Sequence, residues 1–255
     1  MSFQGDEFQN RVVVVTGSTR GLGLHLARLF ADEGAFVGIN GRDSQTVRKV
    51  CSGHKRFFPF TCDLLKMESL DLAKSDLLQR HGHIDYLICN AGGGRRVEGV
   101  DETSAMGHYL SLNFISSYNS VVALKTLMKR EDGKPSSICV ISSIASVTST
   151  SAPIGYAIAK SALNEMVVRL GRDLAKNNCR INALALGNLI YPGSTWESKL
   201  RENRDRVQAL IENDVPLRRF GTIDDVFNWC WFLGSNGSGF ATGAVFIVDG
   251  GQASR

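Results

Sequence analysis

The chain has 255 residues, of which 43% are hydrophobic and 8% aromatic. This length and composition suit one large globular domain spanning residues 1–255 and exclude a disordered chain, which would contain fewer apolar residues. The formal net charge of +4 comes from scattered charges, so no nucleic acid partner is expected. No apolar run approaches about 18 residues, so no membrane partner is expected.

The cysteines and histidines give no sign of a metal site. The six cysteines form no C-x-x-C pair and several lie in apolar runs, which predicts buried free thiols rather than disulfides or zinc ligands. His81 and His83 are too few ligands for a metal. The first ten residues lack the basic start and apolar core of a signal peptide, so the expected location is the cytoplasm.

Short apolar runs rich in β-branched residues alternate with longer amphipathic runs. The predicted strands are RVVVVTG, AFVGIN, RFFPFTC, IDYLICNAG, SSICVISS, CRINALAL and GAVFIVDGG. The predicted helices run from Gly21 to a stop at Gly34, from Asp43 to Cys51, from Thr103 to Arg130 and from Gly155 to Asn177. This alternation predicts an α/β fold, a doubly wound parallel sheet of about seven strands with helices on both faces.

Two segments interrupt this pattern. Pro59 lies in the third predicted strand, which indicates an irregular strand or one near a sheet edge. Residues 187–221 contain no strand signal and predict a loop with one or two helices. A long excursion of this kind is a candidate substrate lid.

The segment TGSTRGLG, Thr16–Gly23, lies between the first strand and the first helix. Gly17 allows a tight turn, Gly21 lets the backbone approach a pyrophosphate, and Gly23 lets the helix pack close to the sheet. The helix N-terminus offers free N–H groups to phosphates. The spacing is G-x-x-x-G-x-G rather than G-x-G-x-x-G, and a plain strand-to-helix turn is the alternative. The position after the first strand favours dinucleotide binding.

The end of the second strand indicates which dinucleotide is preferred. An acidic residue there would bind the ribose 2′-hydroxyl of NAD. This chain has Gly41 at that position, followed by Arg42, and Arg20 lies in the glycine-rich turn. Two guanidinium groups without an acid suit a 2′-phosphate, which favours NADP(H), with NAD(H) still open. The alternative is two solvated arginines.

Tyr156 and Lys160 are four residues apart in a predicted helix and therefore share one face. A nearby ammonium favours the phenolate and is expected to lower the pKa of the tyrosine, which would make it usable in acid–base catalysis. A surface tyrosine beside an extended lysine is the alternative. The pair does not stand alone, because Ser143 ends the fifth predicted strand and Asn113 lies in the preceding predicted helix.

Together these motifs resemble the short-chain dehydrogenase/reductase family in its compact single-domain form, and 3-oxoacyl-[acyl-carrier-protein] reductases within it. The resemblance covers nearly the whole chain. The matching motifs are TGSTRGLG, Asp63, NAG at 90–92, Asn113, Ser143, Tyr156 with Lys160, RINALALGNL, PLRRFG and IVDGG.

The resemblance implies hydride transfer between a nicotinamide and a carbonyl or secondary alcohol carbon, with no metal. It implies that Tyr156 is the general acid/base, that Ser143 polarises the substrate oxygen, that Lys160 holds the nicotinamide ribose and that Asn113 positions a water. It also implies a homodimer or homotetramer. With the residue-level inferences, the predicted cofactor-binding residues are Gly17, Ser18, Thr19, Arg20, Gly21, Leu22, Gly23, Asn40, Gly41, Arg42, Asp63, Leu64, Asn90, Ala91, Gly92, Tyr156, Lys160, Gly187 and Leu189.

The chain departs from the family pattern at two positions. Leu186 stands where a proline is common, and Tyr191 stands where a threonine often holds the carboxamide. Both lie where the chain is expected to pass the nicotinamide, so they affect the expected cofactor contacts.

The candidate substrate residues are Arg95, Arg96, Ser143, Tyr156 and Trp196. Arginines beside an active site suggest an anionic substrate such as a sugar derivative, with ordinary surface charge as the alternative. A second hypothesis is a 3-oxoacyl-[acyl-carrier-protein] reductase, in which Lys129, Arg130 and Arg172 would bind the acidic carrier protein. A third is an NADP(H)-binding sensor without turnover.

Overall fold

The computed structural model describes residues 6–99, 101–129, 132 and 134–253. The strands are β1 Val12–Val15, β2 Phe36–Gly41, β3 Phe57–Thr61, β4 Tyr86–Cys89, β5 Ser136–Ser143, β6 Cys179–Leu186 and β7 Val245–Val248. The α-helices are α1 Gly21–Asp32, α2 Ser44–Cys51, α3 Met67–His81, α4 Glu102–Tyr109, α5 Ser116–Leu124, α6 Ile154–Ala175, α7 Thr195–Glu202, α8 Arg204–Asp214 and α9 Ile223–Gly234.

The strands form one parallel sheet in the order β3-β2-β1-β4-β5-β6-β7. The strand order reverses between β1 and β4, so the crossovers leave in opposite directions there. In an open α/β sheet this reversal opens a crevice outside the carboxyl ends of the strands, where ligands bind. The predicted fold class is therefore confirmed.

Both faces of the sheet are buried, and β1 shows how. Val12 and Val14 belong to the core beneath α3, α5 and α6, whereas Val13 and Val15 belong to the core beneath α1 and α9. Successive side chains of a strand point to opposite faces, so a run of four valines serves two cores. All six cysteines are free and five of them are buried, as predicted.

Pro59 lies in β3 at one edge of the sheet, which agrees with the prediction from its missing N–H. The segment predicted as one long helix, 103–130, is instead α4, a π-helical turn over Leu110–Ile115, α5 and a 3-10 turn over Lys125–Met128. Helices α3 and α9 were not predicted. Arg130 lies outside the described residues.

The 187–221 excursion contains α7 and α8, in line with the prediction. These helices have a small core of their own around Val207, Val215 and Phe220. None of the described helices is long and apolar enough to cross a membrane. The cytoplasmic location stays a prediction.

Candidate active site

The glycine-rich turn adopts the backbone that its glycines predict. Gly17 and Gly21 have φ of +62° and +58°, a region that side chains with a Cβ rarely adopt. A Cβ on Gly23 would lie 2.7 Å from the Gly17 carbonyl oxygen and 2.5 Å from Asn90 Nδ2. The turn therefore packs closely against the end of β4, and α1 begins within the segment, at Gly21.

Thr16 braces this turn, and sequence reasoning missed it. Its buried hydroxyl accepts the backbone N–H groups of Asn90 and Ala91 at 2.9 and 3.0 Å. The side-chain Nδ2 of Asn90 donates to the Thr16 carbonyl at 3.0 Å. These contacts join the ends of β1 and β4 across the point where the strand order reverses.

A side chain at the tip of β2 would have to displace its neighbours. A Cβ on Gly41 would lie 2.6 Å from Thr19 Cγ2. Asn40 is buried and its side chain is used within the protein, since Oδ1 accepts from the Gly17 N–H at 2.9 Å and Nδ2 donates to the Phe60 carbonyl at 3.1 Å. Asn40 therefore braces the turn.

The two arginines expected to meet a 2′-phosphate, Arg20 and Arg42, are exposed. One strand further out, Asp63 follows β3, and its Oδ1 accepts from the Leu65 N–H at 3.1 Å. Leu64 is buried in the core, and its carbonyl accepts from Asn119 Nδ2 at 3.0 Å. These residues line the same edge of the sheet as the glycine-rich turn.

The predicted catalytic side chains come together at the carboxyl end of β5. Ser143 ends β5, its side chain interacts with the Tyr156 phenol and lowers the pKa of that phenol, and its hydroxyl accepts from the Ala145 N–H at 3.2 Å. Lys160 lies one turn after Tyr156 on α6, with its Nζ 5.7 Å from the tyrosine ring centroid.

The electrostatics of this cluster differ from the expectation. Burial raises the pKa of the Tyr156 phenol, and the hydrogen bond with Ser143 lowers it in part. Burial also lowers the pKa of Lys160 to about 8, and its Nζ donates to the Ile141 carbonyl at 2.7 Å. Burial therefore keeps the pKa of the Tyr156 phenol above its ordinary value, contrary to the lowering expected from the Lys160 ammonium.

A polar network behind Ser143 was also not predicted. The Ser142 hydroxyl donates to Asn164 Oδ1 at 2.7 Å, and Asn164 Nδ2 donates to Ser146 Oγ at 2.8 Å. The network ties the turn after β5 to α6, which carries Tyr156. It thereby fixes the two elements whose side chains meet at the phenol.

Asn113 lies in the π-helical turn and is fully buried. Its side chain exchanges two hydrogen bonds with the Gly93 backbone, of 3.0 and 3.2 Å, and donates to the Tyr109 carbonyl at 3.1 Å. A Cβ on Gly92 would lie 2.6 Å from Asn113 Oδ1. Asn113 therefore holds the segment after β4, and its predicted role toward a water stays a prediction.

The candidate substrate residues do not all lie together in the way the catalytic residues do. Arg95 and Arg96 are exposed and follow Gly94, whose added Cβ would lie 3.3 Å from the Tyr156 ring. Trp196 packs against Phe220 within the small core of the excursion, with ring centroids 4.8 Å apart. Lys199, also in the excursion, lies over the Trp196 ring, with its Nζ 4.3 Å from the ring centroid.

Of the two departures from the family pattern, Tyr191 lies close to the glycine-rich turn and Leu186 lies in the core. Leu186 is buried at the end of β6, and Gly187 donates its N–H to the Val248 carbonyl at 3.0 Å. The Tyr191 hydroxyl lies 3.9 Å from the position of a Cβ on Gly21. Leu189 pairs with Gly221, which joins the two ends of the excursion.

A family model described as enoyl-(acyl carrier protein) reductase matches residues 17–253. An L-fucose dehydrogenase of Oryctolagus cuniculus is 30% identical over 97% of this chain and 86% of its own length. The chain belongs to the short-chain dehydrogenase/reductase family, whose members are oxidoreductases acting on alcohols and ketones.

Other similar proteins differ in what they act on. A 3-oxoacyl-[acyl-carrier-protein] reductase of Chlamydia trachomatis is 29% identical over 96% of this chain and 98% of its own length. The structure of L-sorbose reductase from Gluconobacter frateurii, complexed with NADPH and L-sorbose, superposes with a TM-score of 0.87 at 23% identity, covering 99% of this chain and 100% of that one. At that identity the likeness shows the fold.

Proposed function

We propose that the chain is an NADP(H)-dependent oxidoreductase that interconverts a ketone and a secondary alcohol. The observation that carries the proposal is the cluster of Ser143, Tyr156 and Lys160 at the sheet edge that also bears the glycine-rich turn. The close packing of the backbone at Gly17 and Gly23 fits a dinucleotide, because the turn leads directly into the N-terminus of α1, which favours phosphates.

The bound dinucleotide would supply or accept the hydride. The Tyr156 hydroxyl would give a proton to the carbonyl oxygen as it becomes an alcohol, and take it back in the reverse direction. Ser143 would donate a hydrogen bond to the same oxygen. Lys160 would hold the nicotinamide ribose, and its charge would favour the phenolate.

The NADP(H) preference rests on three residues. Gly41 carries no acid and packs against Thr19, and Arg20 and Arg42 are exposed near the tip of β2. Guanidinium groups bind phosphate oxygens in pairs of hydrogen bonds. Among similar proteins of known structure, the L-sorbose reductase is complexed with NADPH, whereas a 3-oxoacyl-[acyl-carrier protein] reductase of Brucella melitensis contains NAD.

For the substrate we propose a small anionic carbonyl compound such as a sugar derivative. The names of the L-fucose dehydrogenase and the L-sorbose reductase support a sugar-like substrate. Arg95 and Arg96, which directly follow the glycine packed on Tyr156, support the anionic character.

The first experiment follows NADPH and NADH oxidation with keto sugars, their monophosphates, keto sugar acids and an acetoacetyl thioester. Tyr156→Phe should lower kcat by on the order of 10²- to 10⁴-fold, whereas Tyr118→Phe, a control at an exposed tyrosine of α5, should not. Unchanged activity in Tyr156→Phe would contradict the proposed role of Tyr156 as the general acid/base. NADPH binding without turnover by the parent would favour the sensor hypothesis instead.

The second candidate is a 3-oxoacyl-[acyl-carrier-protein] reductase. Lys129 and Arg172 are exposed, as a basic face for a carrier protein requires. The hydrogen bond and charge of Lys176, and then the charges of Arg172 and Lys125, lower the pKa of Asp173, so an acid lies within that face. Turnover of the thioester, with a lower KM on the carrier protein than on coenzyme A, would favour this candidate.

A further inference from the structure

The loop Gly93–Val97, here called the arginine loop, follows β4 and carries Arg95 and Arg96. Two side chains one helical turn apart hold its two ends. Asn113 exchanges two hydrogen bonds with the Gly93 backbone, and Tyr109 reaches the other end. The Tyr109 hydroxyl donates to the Arg95 carbonyl at 2.9 Å and accepts from the Val97 N–H at 3.2 Å.

Tyr109 also touches the catalytic helix. It is only 3% exposed, and a Cβ on Gly155 would lie 2.7 Å from its Cδ2 atom. Its ring meets that of Tyr156 edge to face, with centroids 6.5 Å apart. One buried side chain therefore sets the position of the arginine loop relative to the start of α6 and the phenol of Tyr156.

Tyr109 ties the backbone of the arginine loop at Arg95, but both arginine side chains are exposed. The Gly94 backbone lies against the Tyr156 ring, and the two arginines that follow are exposed. Asp101, an acid close by in the chain, is engaged as the cap of α4, since it accepts from the Ser104 N–H at 2.9 Å. Two guanidinium groups on a loop whose backbone is held beside the Tyr156 ring suit the oxygens of a carboxylate or phosphate.

We propose that Arg95 and Arg96 form a subsite for the carboxylate or phosphate group of the substrate, and that Tyr109 is the positioning residue that holds this subsite beside Tyr156. The proposal rests on the proposed function, since it names a substrate class for that same site. Tyr109 acts through the loop backbone. The two hydrogen bonds of its hydroxyl fix the loop, and its ring fixes the distance to α6.

The test separates the hydroxyl from the ring. Tyr109→Phe keeps the packing on Gly155 and removes both hydrogen bonds, so the loop loses its fixed shape. We expect KM for a keto sugar monophosphate or keto sugar acid to rise about tenfold, as the loss of such bonds allows. We expect kcat, KM for the neutral keto sugar, and the NADPH dissociation constant measured by fluorescence to stay within about twofold.

Two further variants complete the set. Arg95→Ala and Arg96→Ala should give the same selective rise in KM with Tyr109 intact, whereas Arg80→Ala, at an exposed arginine ending α3, should not. Since both loop arginines are exposed, these variants keep the proposal testable if Tyr109→Phe fails to fold.

The outcomes are distinguishable from those of the proposed function. A parent enzyme with no preference for the anionic over the neutral sugar overturns the subsite, even if Tyr156→Phe is inactive as expected. An equal rise in KM for both sugars, or a weaker affinity for NADPH in Tyr109→Phe, assigns Tyr109 a general structural role and overturns its positioning role. A KM that does not change in the arginine variants overturns the subsite as well.

Discussion

Lys160 carries a buried ammonium, and burying this charge lowers the stability of the folded state by a measurable amount. Its folded pKa is about 8, whereas an unfolded lysine titrates near 10.5. Between these values the unfolded chain binds more protons, so stability rises with pH across this window. Below about pH 8 the cost of the buried charge is fully present.

Lys160→Met should therefore be more stable than the parent at pH 7, by at most about 3 kcal/mol. The hydrogen bond lost at the Ile141 carbonyl reduces this gain by about 1 kcal/mol. The advantage should shrink as pH rises from 8 toward 10.5, because the parent lysine becomes neutral there. Urea unfolding of both chains without dinucleotide at pH 7 and pH 10 measures this difference, and an equal gap at both pH values would contradict the buried charge.

For individual residues, the sequence predicted which side chains lie together on one helix. It did not predict contacts between side chains and segments that are distant in the chain. Tyr156 and Lys160 were recognisable because positions i and i+4 face the same way. Thr16 and Tyr109 gave no signal, because their partners in the backbone after β4 become neighbours only when the sheet and α4 are assembled. Asn40 was assigned to the cofactor from its position, yet its side chain is used by the turn itself.

At the scale of elements, the cap of α9 also joins this helix to the end of the 187–221 excursion. Asp225 accepts two hydrogen bonds from the Arg219 guanidinium, at 2.6 and 2.9 Å, and another from the Thr222 N–H at 2.8 Å. The Thr222 hydroxyl accepts in return from the Asp225 N–H. These contacts hold the pKa of Asp225 at about 2.

Asp225→Asn should lower the free energy of unfolding by about 1 kcal/mol at neutral pH, because a neutral amide oxygen accepts more weakly from the Thr222 N–H at the start of the helix and the exposed ion pair adds little. The carboxylate stabilises the fold above about pH 3.8, and this contribution is lost as pH falls toward 2. Asp224→Asn, at the exposed neighbouring acid, is the matched control. Equal unfolding midpoints for the two variants in urea would refute the role of the cap.

The elements that sequence reasoning missed have physical explanations. The π-helical turn at Leu110–Ile115 bonds each residue to the fifth rather than the fourth along, and apolar spacing does not reveal such a change. In α3, Leu70 and Leu77 are buried while Leu72 and Leu78 are exposed, which blurs the apolar stripe. The seven strands were recognisable as short apolar runs, but their order was not.

At the scale of the whole molecule, the two edges of the sheet differ. Pro59 has no N–H and so interrupts the row of backbone hydrogen-bond donors along β3. Strand β7 is apolar throughout and only half-buried. Within the described part of the chain, β7 pairs with β6 alone. Beside it, Trp229 of α9 packs on Phe246, with ring centroids 5.5 Å apart. Native proteins seldom leave an apolar edge strand uncovered.

This edge favours a homo-oligomer in which β7 and α9 of one subunit meet the same surface of a second, as in a two-fold interface. The parent should sediment as a dimer or tetramer, and Phe246→Asp should shift it to smaller species, because a carboxylate would be buried in the interface. Leu72→Asp, at an exposed leucine of α3, is the control and should leave the assembly unchanged. Far-UV circular dichroism must show that both variants fold. A parent that sediments as a monomer would refute the assembly, and a Phe246→Asp chain that keeps the parent's size would move the interface to another face.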